Sequence, residues 1–409
     1  MVAKRGLWSA GMVLALVLAG CGSLHQSAGV PGAGTHAKTL RSAVARDATS
    51  SSSPIQLGDV AMVTGQDGWA LASGSVVVTR DAGRKWRRVT PPGFPPTSAQ
   101  LFTVGSIAAA FPTARDGVVA QERASTIRVW RTTDSGLHWK VGTWTAPETD
   151  VLRVFHGSLS ITFTNAREGL IMLSSQGNAG STTDVLLATS DGGRHWHLLR
   201  NTTKNLAPYL GLSPATALGD ISDLSLSPSG RGLASINTVI GGRAWVLTTA
   251  NGGQSWASRT LPLPPGSTQD SVSEGPQVVQ GAKGEWVWIT LFNNHTNSPQ
   301  WLMDHTTDGG TQWTSIRWNQ SIPPLATLGG VYLWPQSHGV LVLVADSHGT
   351  EIWRWTPHSS WQRVSHLPLQ KIESVSLLPT GDGWIIGGTG NYHTTNGGMT
   401  WTAFAPQMN

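Results

Sequence analysis

Beyond residue 55 the chain is a succession of short apolar runs separated by glycine and polar punctuation, and the succession itself repeats. A glycine followed directly by apolar residues marks seven runs: DGWALA (67–72), DGVVA (116–120), EGLIML (168–173), RGLASI (231–236), GEWVWI (284–289), HGVLVLV (338–344) and DGWIIGG (382–388). Most are preceded by another alternating stretch, such as LSITFTN (159–165) or SVSLLPT (374–380). A third run, such as SVVV (75–78) or IRVW (127–130), leads into a box. The boxes are TRDAGRKW (79–86), TTDSGLHW (132–139), TSDGGRHW (189–196), TANGGQSW (249–256), TTDGGTQW (306–313) and TTNGGMTW (394–401). A shortened seventh, TPHSSW (356–361), lacks both Asp and Gly. The closing tryptophans, Trp86, Trp139, Trp196, Trp256, Trp313, Trp361 and Trp401, recur at intervals of 40 to 60 residues. Each unit reads strand, glycine turn, strand, loop, strand, box, strand. Four strands per period, seven times over, predict an all-β fold: a seven-bladed β-propeller of four-stranded antiparallel blades over 55–409, with almost no helix. The sixth blade has the weakest signal because its box is incomplete.

The box chemistry suits a turn between the third and fourth strands. Asp81, Asp134, Asp191 and Asp308 can each accept backbone N–H groups two residues on, closing an Asx-type turn. Glycine allows the positive φ that the reversal needs, and the threonine hydroxyl ties the strand end to the loop. The tryptophan begins the outer strand and places its ring between sheets, burying about 200 Å². Asn251 and Asn396 stand where four other boxes have Asp, and Asn also accepts through its oxygen. A general acid or base does not survive that exchange, whereas a turn staple does. The box residues are therefore read as structural, and no catalytic residue is assigned.

Composition agrees with this reading: 39% hydrophobic and 12% charged, with 48 Gly and 20 Trp, favours many short strands and tight turns. The net charge of +5 includes Lys4 and Arg5; without them 26 basic residues face 23 acidic ones, a balance of +3 that gives no case for nucleic acid. No His/Cys/Glu spacing suits a metal, no phosphate loop is present, and no cofactor is expected. The scattered histidines, such as His138 and His195 inside boxes, read as surface residues. RKWRR (84–88), with Arg80 just before it, is a local basic run on an outer strand. It reads as charge protecting a sheet edge, or as a contact with anionic lipid or wall polymer.

The N-terminus carries a targeting signal. Lys4-Arg5 precede the apolar stretch 6–20, which is too short to span a bilayer comfortably and reads as a signal peptide. It ends in Leu18-Ala19-Gly20-Cys21, which resembles the bacterial lipobox; the resemblance implies cleavage before Cys21 and a diacylglycerol on its sulfur. Cys21 is also the only cysteine in the chain, and more than one acyl chain anchors a protein stably. Residues 21–54 are rich in Ser, Ala, Gly and Thr and read as a lipidated cysteine followed by a flexible tether. The expected location is the cell membrane, lipid-anchored and facing the extracytoplasmic side, as a monomer.

The boxes resemble the Asp-box (BNR) repeats of the sialidase superfamily, and their pairing with D-G-W-A motifs is most similar to the photosystem II stability and assembly factor propellers. All seven units fit. The resemblance implies a non-enzymatic platform that holds a protein partner, such as a client polypeptide during assembly of a membrane complex. Sialidases of the superfamily use an arginine triad, a Tyr–Glu nucleophile pair and an Asp acid/base, together with an Arg-Ile-Pro motif. That motif is missing, and Tyr209, Tyr332 and Tyr392 match none of its contexts. The related xyloglucanases use two Asp between two propellers, and this chain has one propeller. The competing class is a glycoside hydrolase or carbohydrate-binding propeller, whose acid and base would lie among Asp220, Asp270 and Glu274. These residues fall on the most divergent loops, near 201–220 and 264–283, where a protein or glycan partner is also expected.

Overall fold

The computed structural model describes residues 54–72, 74–94, 107–123, 126–145, 158–174, 184–201, 219–238, 245–262, 271–281, 284–293, 299–321 and 328–409. The signal peptide, Cys21 and nearly all of the tether lie outside the described residues. The chain folds into seven four-stranded antiparallel blades, and no helix occurs among the described residues. Blade 1 comprises Val60–Met62, Gly68–Ala72, Ser75–Thr79 and Lys85–Arg88. Blades 2 to 7 follow in order within 107–145, 158–201, 219–260, 271–317, 330–367 and 374–404. In every blade the strands pair in chain order, so the first strand is innermost and the fourth outermost.

The alternation in the sequence divides each blade between two neighbours. In blade 6, Val340, Val342 and Val344 pack with Trp286, Trp288 and Trp301 of blade 5. Leu341, Leu343 and Ala345, pointing the other way, pack with Ile385 of blade 7. A second strand covered on both faces reads as a continuous apolar run, as Gly339–Asp346 does. The fourth strands are wetter; Lys140–Thr145 is almost wholly exposed. Seven apolar clusters result, each between two adjacent blades.

The ring closes where no sequence pattern announced it. Gln407–Met408 pairs in parallel with Lys85–Trp86, adding a fifth strand to blade 1. Pro54 bridges Gln407, and the Ile55 N–H donates to Pro406 O at 3.2 Å. On the inner side the Val60 and Met62 N–H groups donate to the Ser374 and Ser376 hydroxyls of blade 7 at 2.9 and 2.8 Å. The start of the basic strand is thus not a free sheet edge. Gln407–Met408 covers its outer side at Lys85 and Trp86, whereas Arg87 and Arg88 pair only with the third strand among the described residues, so charge can protect an open edge at those two alone.

The glycine turns and the boxes meet on one face of the disc. The glycine turn joins strands one and two, and the box joins strands three and four. In five blades a box N–H donates to a turn carbonyl at 2.7–3.0 Å: Ala82 to Gln66, Ser135 to Arg115, Gly192 to Arg167, Gly252 to Gly230 and Gly397 to Gly381. The connections between blades and the second-to-third turns therefore lie on the opposite face.

Candidate functional site

Each full box is built from one recurring set of bonds. The threonine hydroxyl donates to Oδ1 of Asp or Asn at 2.8–3.0 Å in all six. The N–H of the glycine four residues after the threonine donates to the same hydroxyl at 2.9–3.1 Å. Oδ1 also accepts the N–H four residues on at 2.8–3.0 Å. The acceptor therefore serves N–H groups three or four residues on, as in Thr311 and Gln312 to Asp308, rather than two. Two consecutive residues take positive φ, and in boxes 1 and 2 the first is Ala82 at 62° or Ser135 at 60° instead of Gly. Bonding of the side chain holds a non-glycine residue in a region that disfavours it.

The second side-chain atom distinguishes two box types. Asp134 Oδ2 and Asp191 Oδ2 meet His138 and His195 Nδ1 at 2.7 and 2.6 Å. Asn251 and Asn396 instead donate through Nδ2 to the Ser255 and Thr400 hydroxyls at 2.9 and 2.8 Å. The His138 N–H and then its imidazole hold the Asp134 carboxyl down to about 2. Burial pushes Asp191 up, but the His195 N–H and imidazole and the Thr189 hydroxyl outweigh it, leaving it at about 2. The Gln312 N–H and then the Thr306 hydroxyl lower Asp308.

The tryptophans divide as well. Trp86 and Trp361 are buried, whereas Trp139, Trp196, Trp256, Trp313 and Trp401 are half-buried. Trp86 and Trp401 bond the carbonyls of Gly83 and Gly398 in their own boxes. Trp139 and Trp361 reach back to Val89 and Arg317 of the preceding blade.

The opposite face gathers different chemistry at the starting ends of the innermost strands. Asp59 immediately precedes the first strand of blade 1, and its carbonyl accepts the Leu71 N–H at 2.9 Å. Its half-buried carboxyl has no hydrogen bond among the described residues, and burial raises it to about 6. Tyr332, on the first strand of blade 6, donates its phenol to Ile372 O at 3.3 Å. Burial and then the nearby Asp59 charge push that phenol up to about 12, so it is a fixed neutral donor and a poor nucleophile. Glu373, just before the first strand of blade 7, lies beside Gly388. Asp220 and Glu274 occupy the first strands of blades 4 and 5, opposite Asn237 and Thr290. Their side chains, and all of Asp270, lie outside the described residues.

Sequence reasoning missed Asp59 and also Asp304. Asp304 is fully buried on the third strand of blade 5; Oδ1 accepts the Ser315 hydroxyl at 2.6 Å and Oδ2 has no partner among the described residues. Burial raises it to about 7. The histidines are not all surface groups: His305 stacks on Trp286 at 4.0 Å and His393 on Trp384 at 4.4 Å. Burial lowers His393. Together with Arg84 and Phe404 it lines a cavity of about 260 Å³ between blades 7 and 1. Among the described residues no three His, Cys, Asp or Glu side chains form a metal-ligand set.

No family model matches the chain, and no curated protein matches it in sequence. Solved structures match by fold. The GH74 enzyme of Niastella koreensis is 16% identical with a TM-score of 0.50, covering 87% of this chain and 55% of its own. A prolyl endopeptidase is 12% identical with a TM-score of 0.52, covering 86% and 50%. A polysaccharide lyase is 8% identical with a TM-score of 0.53, covering 86% and 88%. The chain thus spans about half the length of the first two and most of the third. The fold is a seven-bladed β-propeller, and these likenesses to a glycoside hydrolase, a peptidase and a lyase are likenesses of fold.

Proposed function

We propose that the protein is a non-enzymatic binding lipoprotein, tethered by lipid on Cys21 to the extracytoplasmic side of the membrane, that holds a protein partner on the face opposite its boxes. One observation carries the reading: in six blades the box carboxylate or amide is bonded into its own turn, so the repeated acidic positions supply no free acid or base. The opposite face varies instead. Its blade-to-blade connections run from six residues (368–373) to eighteen (89–106), which is where binding specificity usually resides. A client polypeptide of a membrane complex, as the likeness to photosystem II assembly factors suggests, fits such a platform. Crosslinking of the full chain in its own membranes, followed by pull-down, tests the idea. A stoichiometric membrane-protein partner supports it, and capture of no partner sinks it. Palmitate labelling that disappears in Cys21→Ser tests the tether separately.

Asp59 favours a second reading, a glycan-active enzyme. A carboxyl near 6 is poised for acid–base work at neutral pH, and Asp220, Glu274 and Glu373 belong to the same ends of the innermost strands. Turnover of any polysaccharide that Asp59→Asn or Glu274→Gln abolishes would defeat the binding-platform reading.

A further inference from the structure

The geometry points to a membrane-docking surface on the box-side rim of blades 1 and 2, built from basic side chains around exposed aliphatic ones and fitted to an anionic phospholipid surface. The inference rests on the tether reading for its biological setting, but its chemistry stands on the rim alone. Residues 80–88 hold five basic side chains and one acidic one, Asp81. Arg84, Lys85, Arg87 and Arg88 are exposed, and none forms an ion pair among the described residues. Arg80 and Arg87 extend across to blade 2, where they bond the Ser135 hydroxyl and carbonyl at 3.3 and 3.4 Å.

Two residues beyond Ser135 is Leu137, 64% exposed, and Val141, 56% exposed, stands on the adjoining outer strand. A third large apolar side chain exposed among the described residues, Met399 at 41%, belongs to the box of blade 7, on the other side of blade 1. Large apolar side chains held out in water beside unpaired cations are what an interfacial lipid contact uses: the aliphatic groups enter the headgroup boundary and the cations meet lipid phosphates.

The chain's own path brings this rim near a bilayer. Pro54 bridges Gln407, and the Gln407 N–H donates to Arg84 O at 2.9 Å, so the N-terminal segment joins the propeller beside the basic strand. Only 32 residues lie between Cys21 and Pro54, a reach of no more than roughly 115 Å even fully extended. Docking here would turn the face bearing Asp59 and the divergent connections away from the membrane.

The test uses the full chain carrying Cys21→Ser, so that no acyl chain contributes, and vesicles of phosphatidylcholine with and without phosphatidylglycerol. Phosphatidylglycerol is expected to strengthen binding, and the gain should fade from about 0.1 to about 1 M salt as the Debye length contracts. Substituting Arg84→Gln, Lys85→Gln, Arg87→Gln and Arg88→Gln together should reduce the gain about fivefold per charge, two orders of magnitude or more in all. Leu137→Ser with Val141→Ser should weaken binding to both vesicle types. If the fourfold variant fails to keep the native melting profile, Lys85→Gln and Arg88→Gln are read singly. No gain from phosphatidylglycerol, or a gain retained in a folded variant, overturns the proposal. So does displacement by soluble polyglycerol phosphate with no effect of the Leu137 and Val141 changes, which would mark a wall-polymer site. Loss of the tether reading shows separately, as absence of palmitate on the unsubstituted chain.

Discussion

Blade 5 passes from its third strand, Pro299–Thr306, to its fourth through a full box, whereas blade 6 makes the same turn with only Pro357 and His358 between Gly349–Thr356 and Ser359–Leu367. The outer strand differs too, with four residues in Thr314–Arg317 and nine in Ser359–Leu367. Both blades nevertheless carry a closing tryptophan, and the blade without a box buries its own more completely. Trp361 is 6% exposed and bonds Arg317 O at 3.0 Å, while Trp313 is half-buried and its indole N–H has no partner among the described residues. Around Trp361 the two blades share five indoles: Trp318 lies 4.7 Å from Trp361 and 5.6 Å from each of Trp288, Trp301 and Trp353. The box is thus one of two ways to make a blade turn. What the blades have in common is an aromatic wedge at the outer strand.

The largest expected effect tests that contrast directly. Trp361→Ala should cost about 3–5 kcal/mol as a large-to-small change in a packed site, and Trp313→Ala about half as much because part of its ring is already in water. Denaturant midpoints at unchanged m-value measure both. Equal losses would mean that the box, and not the depth of burial, sets the worth of the indole.

The next effect separates the interior of blade 5 from the box turns by pH. Asp304, raised to about 7, keeps in the folded protein a proton that the unfolded chain releases near 4. The stability it allows is therefore complete below about pH 4 and is lost as pH rises towards 7, by up to about 4 kcal/mol. Asp59, raised to about 6, acts in the same direction. Asp134 and Asp191, held at about 2, have the opposite sign. Their contribution is present above about pH 4 and is lost as pH falls through 2, and solvent exposure keeps it small. Asp304→Asn should flatten most of the decline between pH 4 and 7 while leaving the acid limb intact. An unchanged decline, followed by thermal melting, would remove Asp304 as its source.

These residues show where sequence was readable. The repeat exposed the blades because a strand buried on both faces must be apolar throughout, and because each turn needs Gly, Asp and Thr at fixed offsets. Nothing comparable marks Gln407–Met408: two residues pairing through their backbones carry no side-chain signature. Asp304 was hidden for a related reason. In WLMDHT the alternation assigns it a face, but only the packing of blade 4 against blade 5 makes that face dry. Asp59 precedes a three-residue strand, and its burial comes from neighbours remote in sequence. The Asn boxes, by contrast, were legible as turns from the exchange alone, although the hydroxyl partner at the fourth following residue emerged only from the bonds.

That partner sets the smallest effect. Asp308 has Gln312 at the position where Asp134 has His138 and Asn251 has Ser255. Asp308→Asn retains Oδ1 as acceptor for Thr306, Thr311 and Gln312, and its new amide faces solvent, so the change should stay within about 0.5 kcal/mol. Asp308→Ala removes the acceptor and leaves two N–H groups to water, for a loss of about 1 kcal/mol. In Asp191→Asn the amide faces the His195 ring instead, so the contribution that the Asp191 carboxylate makes above about pH 4 disappears, and adding His195→Ser should rebuild the hydroxyl-partnered box and recover the melting temperature. A turn staple predicts this whole series from stability alone. Loss of partner binding in Asp308→Asn with an unchanged melting temperature would instead give that carboxylate a chemical role, and would mark the Asp and Asn boxes as functionally different surfaces.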